Sequence, residues 1–166
     1  PRPVGAAPAL DDLDRFQSGL SKELLMDAIN AAKMAGASYA DARIARIRQN
    51  FVVTREQQIV NVVDTDTLGC GVRALVDGCW GFAATRTLTR DAVAAAAREA
   101  VAIARANRVA RDRSVELAPV QAYPNATWRS PVTRDPFDVP LEEKVNLLLS
   151  ANAEAMKVQN VRFVNS

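Results

Sequence analysis

Gly69-Cys70-Gly71-Val72-Arg73-Ala74-Leu75-Val76-Asp77-Gly78-Cys79-Trp80-Gly81-Phe82-Ala83-Ala84 is the stretch whose reading decides the fold. Asp-Gly between two apolar runs is the strongest turn signal in the chain. A two-residue type I′ hairpin loop needs positive φ at both central positions, and these residues reach it at least cost. With Asp77 and Gly78 as the loop, Val76 faces Cys79, Leu75 faces Trp80, Arg73 faces Phe82 and Gly71 faces Ala84. Leu68, Cys70, Val72, Ala74 and Val76 then share an apolar face with Cys79, Gly81 and Ala83, and this is the expected core face. The opposite face carries Gly69, Gly71, Arg73 and Leu75 against Trp80, Phe82 and Ala84. Two glycines inside a strand weaken it. Either Trp80 and Phe82 cover them and stack under Arg73, or the bare backbone leaves room for a partner domain or a peptide. Gly69, Gly71, Arg73, Trp80 and Phe82 are therefore the candidate binding surface.

The same register governs the two cysteines. Cys70 and Cys79 lie on one face but about six residues apart along the ladder, roughly 20 Å, far beyond disulfide reach. They also lack CxxC spacing, so buried free thiols are expected and a redox pair is excluded.

Working outward, residues 58–64 and 40–53 read as two further strands joined by a polar turn at Arg55-Glu56. Ile44 and Ile47 fall on opposite faces of the first, which points to a bulge or to a strand buried on both sides. Ser21 is placed to cap a helix to about Ala35, with Leu25, Ala28, Ile29, Ala32 and Ala35 apolar and Gly36 as its stop. Thr89 caps a second helix to about Asn107, whose Ala-rich stripe (Val93, Ala97, Ala100, Val101, Ala104) predicts close packing on the sheet. Residues 114–140 hold five of the eight prolines and read as a long surface connection. A third helix begins at Asp138 and runs over about Leu141 to Lys157, buried along Val145, Leu148, Leu149, Asn152 and Met156. Strand character resumes at Val161 to Val164, and stopping there is what a fragment looks like. The expected fold is α/β of the α+β kind, an antiparallel-rich sheet of about 4–6 strands on about three helices, in the order α-β-β-β-β-α-(extended)-α-β.

At 166 residues and 49% hydrophobic content the chain is sized for a single domain, taken as 21–166, with residues 1–20 as an extended arm. Gly5-Ala6-Ala7-Pro8-Ala9 resembles the tail of a signal peptide, so the arm is either the remnant of a removed leader or a trimmed start. Cytoplasmic residence is the default, export the alternative if a leader preceded residue 1. No apolar run approaches the roughly 20 residues that span a bilayer, and no membrane partner is expected. There is no histidine anywhere, which removes imidazole metal ligands and Ser-His hydrolase chemistry from this chain. The net charge is only +2, although residues 86–113 carry seven Arg against three acids. A solvated helix face accounts for that cluster more simply than a phosphate-binding surface. Asn125-Ala126-Thr127 matches a glycosylation sequon, but the Ala- and Arg-rich composition hints at a bacterial source, where it carries no meaning.

Taken with its flanks, the quoted run resembles the G-x-G-x-R-x-x-x-D-G-x-x-G-F-A pattern of the TldD/PmbA family, once called modulators of DNA gyrase. A helix ending in Gly-Ala precedes the strands, and a threonine-capped Ala-rich helix comes after the pattern. The resemblance covers residues 21–110 well and the remainder in outline. It departs at Arg55-Glu56, where the family often has a glycine-containing turn.

The resemblance implies a parent peptidase whose zinc is held by an HExxxH helix and a later Cys, all in regions following this domain. An HExxxH helix sets both imidazoles on one face with the glutamate near metal-bound water. No residue here inherits a ligand role: no catalytic or metal residue and no cofactor are assigned to this chain. It implies instead a non-catalytic amino-terminal domain that forms a wall of a peptide channel and a dimer surface. Its partners would be its own carboxy-terminal catalytic domain, a like or related subunit, and peptide substrate. The alternative is a non-enzymatic protein- or nucleic-acid-binding module using Arg98, Arg105, Arg108, Arg111 and Arg113. These do not all share one helix face, which weighs against it.

Overall fold

A computed structural model describes residues 20–124 and 126–166. The amino-terminal arm up to residue 19, with its signal-like pattern, and Asn125 of the sequon lie outside the described residues. The elements in chain order are α1 (Leu20–Met34), β1 (Tyr39–Arg55), β2 (Gln58–Val76), β3 (Cys79–Thr85), α2 (Arg90–Ala106), a 3-10 turn (Asn107–Ala110) and α3 (Leu141–Met156). The strands form one antiparallel sheet in the order β1-β2-β3, which makes the fold α+β.

The chain divides into two compact units. One comprises residues up to Ile47 together with Thr67–Val120, and the other comprises Arg48–Asp66 with Gln121–Ser166. In the first, the β2/β3 hairpin has the register that the Asp-Gly turn predicts, from Val76↔Cys79 through Arg73↔Phe82 to Cys70↔Thr85. Asp77 and Gly78 both take positive φ, 48° and 74°, as a type I′ loop requires. Cys70, Val72, Ala74, Val76 and Ala83 join Leu24, Ala28 and Ala32 of α1 and Val93, Ala97, Ala100, Val101 and Ala104 of α2 in one buried core. Both thiols are buried and free.

Small side chains bring α2 onto the sheet, and Gly81 marks the closest approach. A Cβ built there would lie 2.0 Å from the Ala100 carbonyl oxygen and 2.4 Å from the Ala104 nitrogen. Thr89 caps α2, its hydroxyl accepting from the Ala92 N–H at 3.4 Å. Helix α1 ends in a Schellman motif: Gly36, at φ 101°, donates to Lys33 O and Ala37 donates to Ala32 O. The Arg105 guanidinium donates to the neighbouring Ala35 carbonyl, so one helix end closes another.

Several expectations are revised. Ser21 lies inside α1 and does not cap it; its hydroxyl is buried without a hydrogen-bond partner among the described residues. The buried stripe of α1 holds the expected Ala28 and Ala32, with Leu25 and Ala35 packed beside them, and adds Leu24, which the expected face left out. The strands expected at 58–64 and 68–76 are one 19-residue strand, because β1 offers 17 residues of pairing alongside it and Thr65 and Thr67 suit extended backbone. Residues 161–164 form no strand, so among the described residues the sheet has three strands where about four to six were expected. The split between Ile44 and Ile47 is ordinary alternation. Ala40, Ala42 and Ile44 pack on the core while Ile47 stays 56% exposed, so the strand is not buried on both sides.

In the second unit, residues 164–166 lie beside the end of β1. Thr54 and Ser166 exchange two main-chain hydrogen bonds, and Glu56 donates to Val164 O. Helix α3 buries Val145 and Asn152, with Leu148, Leu149 and Met156 half-buried. Asn152 Nδ2 donates to Thr54 Oγ1 at 3.1 Å and to the Glu56 carbonyl at 2.9 Å. The turn itself falls at Glu56 and Gln57, one residue later than expected, and Glu56 takes a positive φ of 47° without being glycine. These long-range bonds hold it there. Phe137 sits under the Arg48 guanidinium at 4.3 Å, and the connection through residues 112–136 is exposed wherever it is described.

Candidate functional site

Helices α1 and α2 cover one face of the sheet in the first unit, and the other face holds a groove of about 640 Å³. Period-two alternation decides what lines it. Asp41, Arg43, Ala45 and Ile47 come from β1, Thr67, Gly69, Gly71 and Arg73 from β2, and Phe82, Ala84 and the following Arg86 from the β3 side. The middle of the groove has no side chain where β2 runs through Gly69 and Gly71, and only small ones at Ala45 and Ala84. The trough is therefore a consequence of missing volume on a flat strand.

Phe82, opposite Arg73 in the ladder, is 57% exposed and leans along the strand over Gly71. A methyl on Gly71 would come within 2.9 Å of its Cε2. Among the described residues, Arg73 makes the one ion pair in the groove: Nε lies 3.1 and 3.0 Å from the two Asp41 oxygens, and Nη2 lies 2.8 Å from Oδ2. The hydrogen bond and charge of Asp41 push the Arg73 pKa up from an already high value, so the guanidinium is permanently charged. The pair is half exposed, and such pairs contribute little to stability; its role is to hold Arg73 in place. Arg73 also lies 5.2 Å over the Trp80 ring, which meets Tyr39 edge-on at 5.9 Å.

Of the five candidate residues, Gly69, Gly71, Arg73 and Phe82 line the groove together. Trp80 shares their face but stands outside it, under Arg73 and against Tyr39. The covering arrangement weighed for the glycine face is thus seen at Gly71, through Phe82. Gly69 meets only backbone, the Thr85 carbonyl oxygen being 3.1 Å from where its Cβ would stand. Sequence reasoning missed Asp41, Arg43, Ile47 and Arg86. The alternation of Asp41, Arg43 and Ala45 against Ala40, Ala42 and Ile44 was the available signal for the first three.

No three His, Cys, Asp or Glu side chains come together among the described residues, and the chain has no histidine. Its residues do not fit the zinc ligand set that the family resemblance implies for the parent. Three arginines of the arginine-rich segment have partners within the chain: Arg105 caps α1, Arg108 pairs with Asp77 at 3.0 Å, and Arg111 donates to the Asp77 carbonyl. No described helix is long and apolar enough to cross a membrane.

Residues 40–104, which hold the sheet, the groove and most of α2, match the family model PmbA/TldA metallopeptidase domain 1. Over those residues the chain is similar to the first domain of that family, in agreement with the TldD/PmbA resemblance of the hairpin pattern. A Bacteroides thetaiotaomicron structure titled as a modulator of DNA gyrase shares the fold at TM-score 0.57 and 17% identity, over 89% of this chain and 34% of its own. TldE from Thermococcus kodakarensis aligns over 81% of this chain and 28% of its own, at 12% identity and TM-score 0.49. No curated protein matches the chain in sequence. The chain spans about a third of the length of these two structures.

Proposed function

We propose that this chain is the non-catalytic amino-terminal domain of a TldD/PmbA-type metallopeptidase, and that its glycine-floored groove forms a wall of the channel through which peptide reaches a zinc centre elsewhere in the parent. The observation that carries the reading is that β2 presents no side chain at Gly69 and Gly71, beside an exposed Phe82, on the sheet face opposite α1 and α2. An extended main chain can lie close to such a strand, with an aromatic ring at its side, without its sequence being read closely. Dimer formation with a like or related subunit and cytoplasmic residence belong to the same reading.

The chain contributes shape here and no chemistry of bond cleavage. The 166-residue chain should therefore copurify without stoichiometric zinc and leave peptides intact, measured by metal analysis and by a peptide-release assay with and without chelator. One zinc per chain, or hydrolysis that persists through chelator controls, would overturn the assignment. The nucleic-acid alternative draws no support from the arrangement of Arg105, Arg108 and Arg111, each of which already engages a partner within the chain.

A further inference from the structure

We propose that the groove selects peptide segments carrying acidic side chains, held by Arg43 and Arg86; this rests on the reading of the groove as a peptide-binding wall. Three guanidinium groups and one carboxylate line it. Asp41 is spent on Arg73, with both oxygens engaged. The Arg43 and Arg86 guanidinium groups have no ion pair or hydrogen bond among the described residues, although both are exposed and line the same cavity.

They reach it from opposite sides of the central strand. Arg43 is on β1, on the face of Asp41, and Arg86 continues the Phe82, Ala84 alternation beyond β3. Gly69 and Gly71 lie on the strand between and put no side chain into the groove, where the Phe82 ring leans over Gly71 and the Thr85 backbone stands beside Gly69. A carboxylate entering here meets charge-assisted donors, while the rest of the peptide rests on the aromatic and small apolar side chains. A basic segment would meet two uncompensated positive charges. Nucleic acid fits less well, because two free arginines beside an apolar floor offer no track of phosphate contacts.

The test uses the 166-residue chain and the fluorescence anisotropy of an extended peptide carrying glutamates, its all-glutamine counterpart and a single-stranded oligonucleotide. The glutamate peptide should bind about tenfold tighter than the glutamine one, and this preference should vanish in the Arg43→Gln/Arg86→Gln double variant and shrink with added salt. Gly71→Leu, which fills the trough, should weaken both peptides alike. Equal binding of the two peptides, with loss of both in Gly71→Leu, would overturn acidic selection and leave the peptide wall standing. Binding of neither peptide, or a preference for the oligonucleotide, would overturn both. A preference that survives in the double variant would remove Arg43 and Arg86 from the site.

Discussion

Gly81 shows how much one missing side chain can determine. Its Cβ position is occupied by the backbone of α2, at Ala100 and Ala104, and backbone cannot rotate aside as a side chain can. Gly81→Ala must therefore push the helix off the sheet or strain both. Overpacking of this kind costs typically 1–3 kcal/mol, and contact with two backbone atoms sets the expectation at about 3. Urea denaturation should show the midpoint falling with little change in slope. An unaltered midpoint would mean that α2 does not sit on Gly81. The importance of Gly81 was only half legible: its place on the core face followed from the hairpin register, but what it touches depends on a helix some twenty residues away. Asn152 was still less legible. Its position in an apolar stripe was read correctly, whereas its two hydrogen bonds, to Thr54 and Glu56, join groups nearly a hundred residues apart.

At the scale of the element, helix ends divide by where their partners come from. Thr89 caps α2 through a hydroxyl three residues from the N–H it serves, a relation written in local sequence. Thr89→Ala should cost about 1 kcal/mol, read as a lower thermal midpoint of several degrees, and Thr89→Ser should largely restore it. A loss in Thr89→Ala that serine fails to rescue would point to packing and away from capping. The other end of the helix pair obeys different rules. Gly36 announces the stop of α1, yet the Ala35 carbonyl is closed by Arg105, which no local pattern announces. Strand β2 makes the same point. Its two apolar runs are visible, but their fusion through Thr65, Asp66 and Thr67 depends on β1 lying alongside.

Across the whole molecule, the two thiols report on the first unit's core. Cys70 is 1% exposed and Cys79 5%, and burial pushes the Cys70 pKa up, so less thiolate is present at neutral pH. Labelling by an aromatic disulfide reagent should be at least about a hundredfold slower in native buffer than in denaturant, because each thiol must wait for an opening of the core. For Cys70, whose folded pKa is raised, the native rate should still be climbing at pH values where a free thiol has levelled off. Fast labelling of either residue would contradict the packing of α1 and α2 on the sheet. By itself, the sequence determined the hairpin at Asp77-Gly78 with its register, the three helices and the separation of the thiols. Each of these depends on neighbouring residues or on a period along one strand or helix, where backbone geometry leaves few alternatives. Only the tertiary structure decided that Asp41 neutralises Arg73, that Arg43 of β1 and Arg86 just after β3 reach one groove, and that residues 164–166 pair with the end of β1. Those are meetings of groups distant in the chain, and side chains acquire such partners only when the sheet and its helices have closed around them.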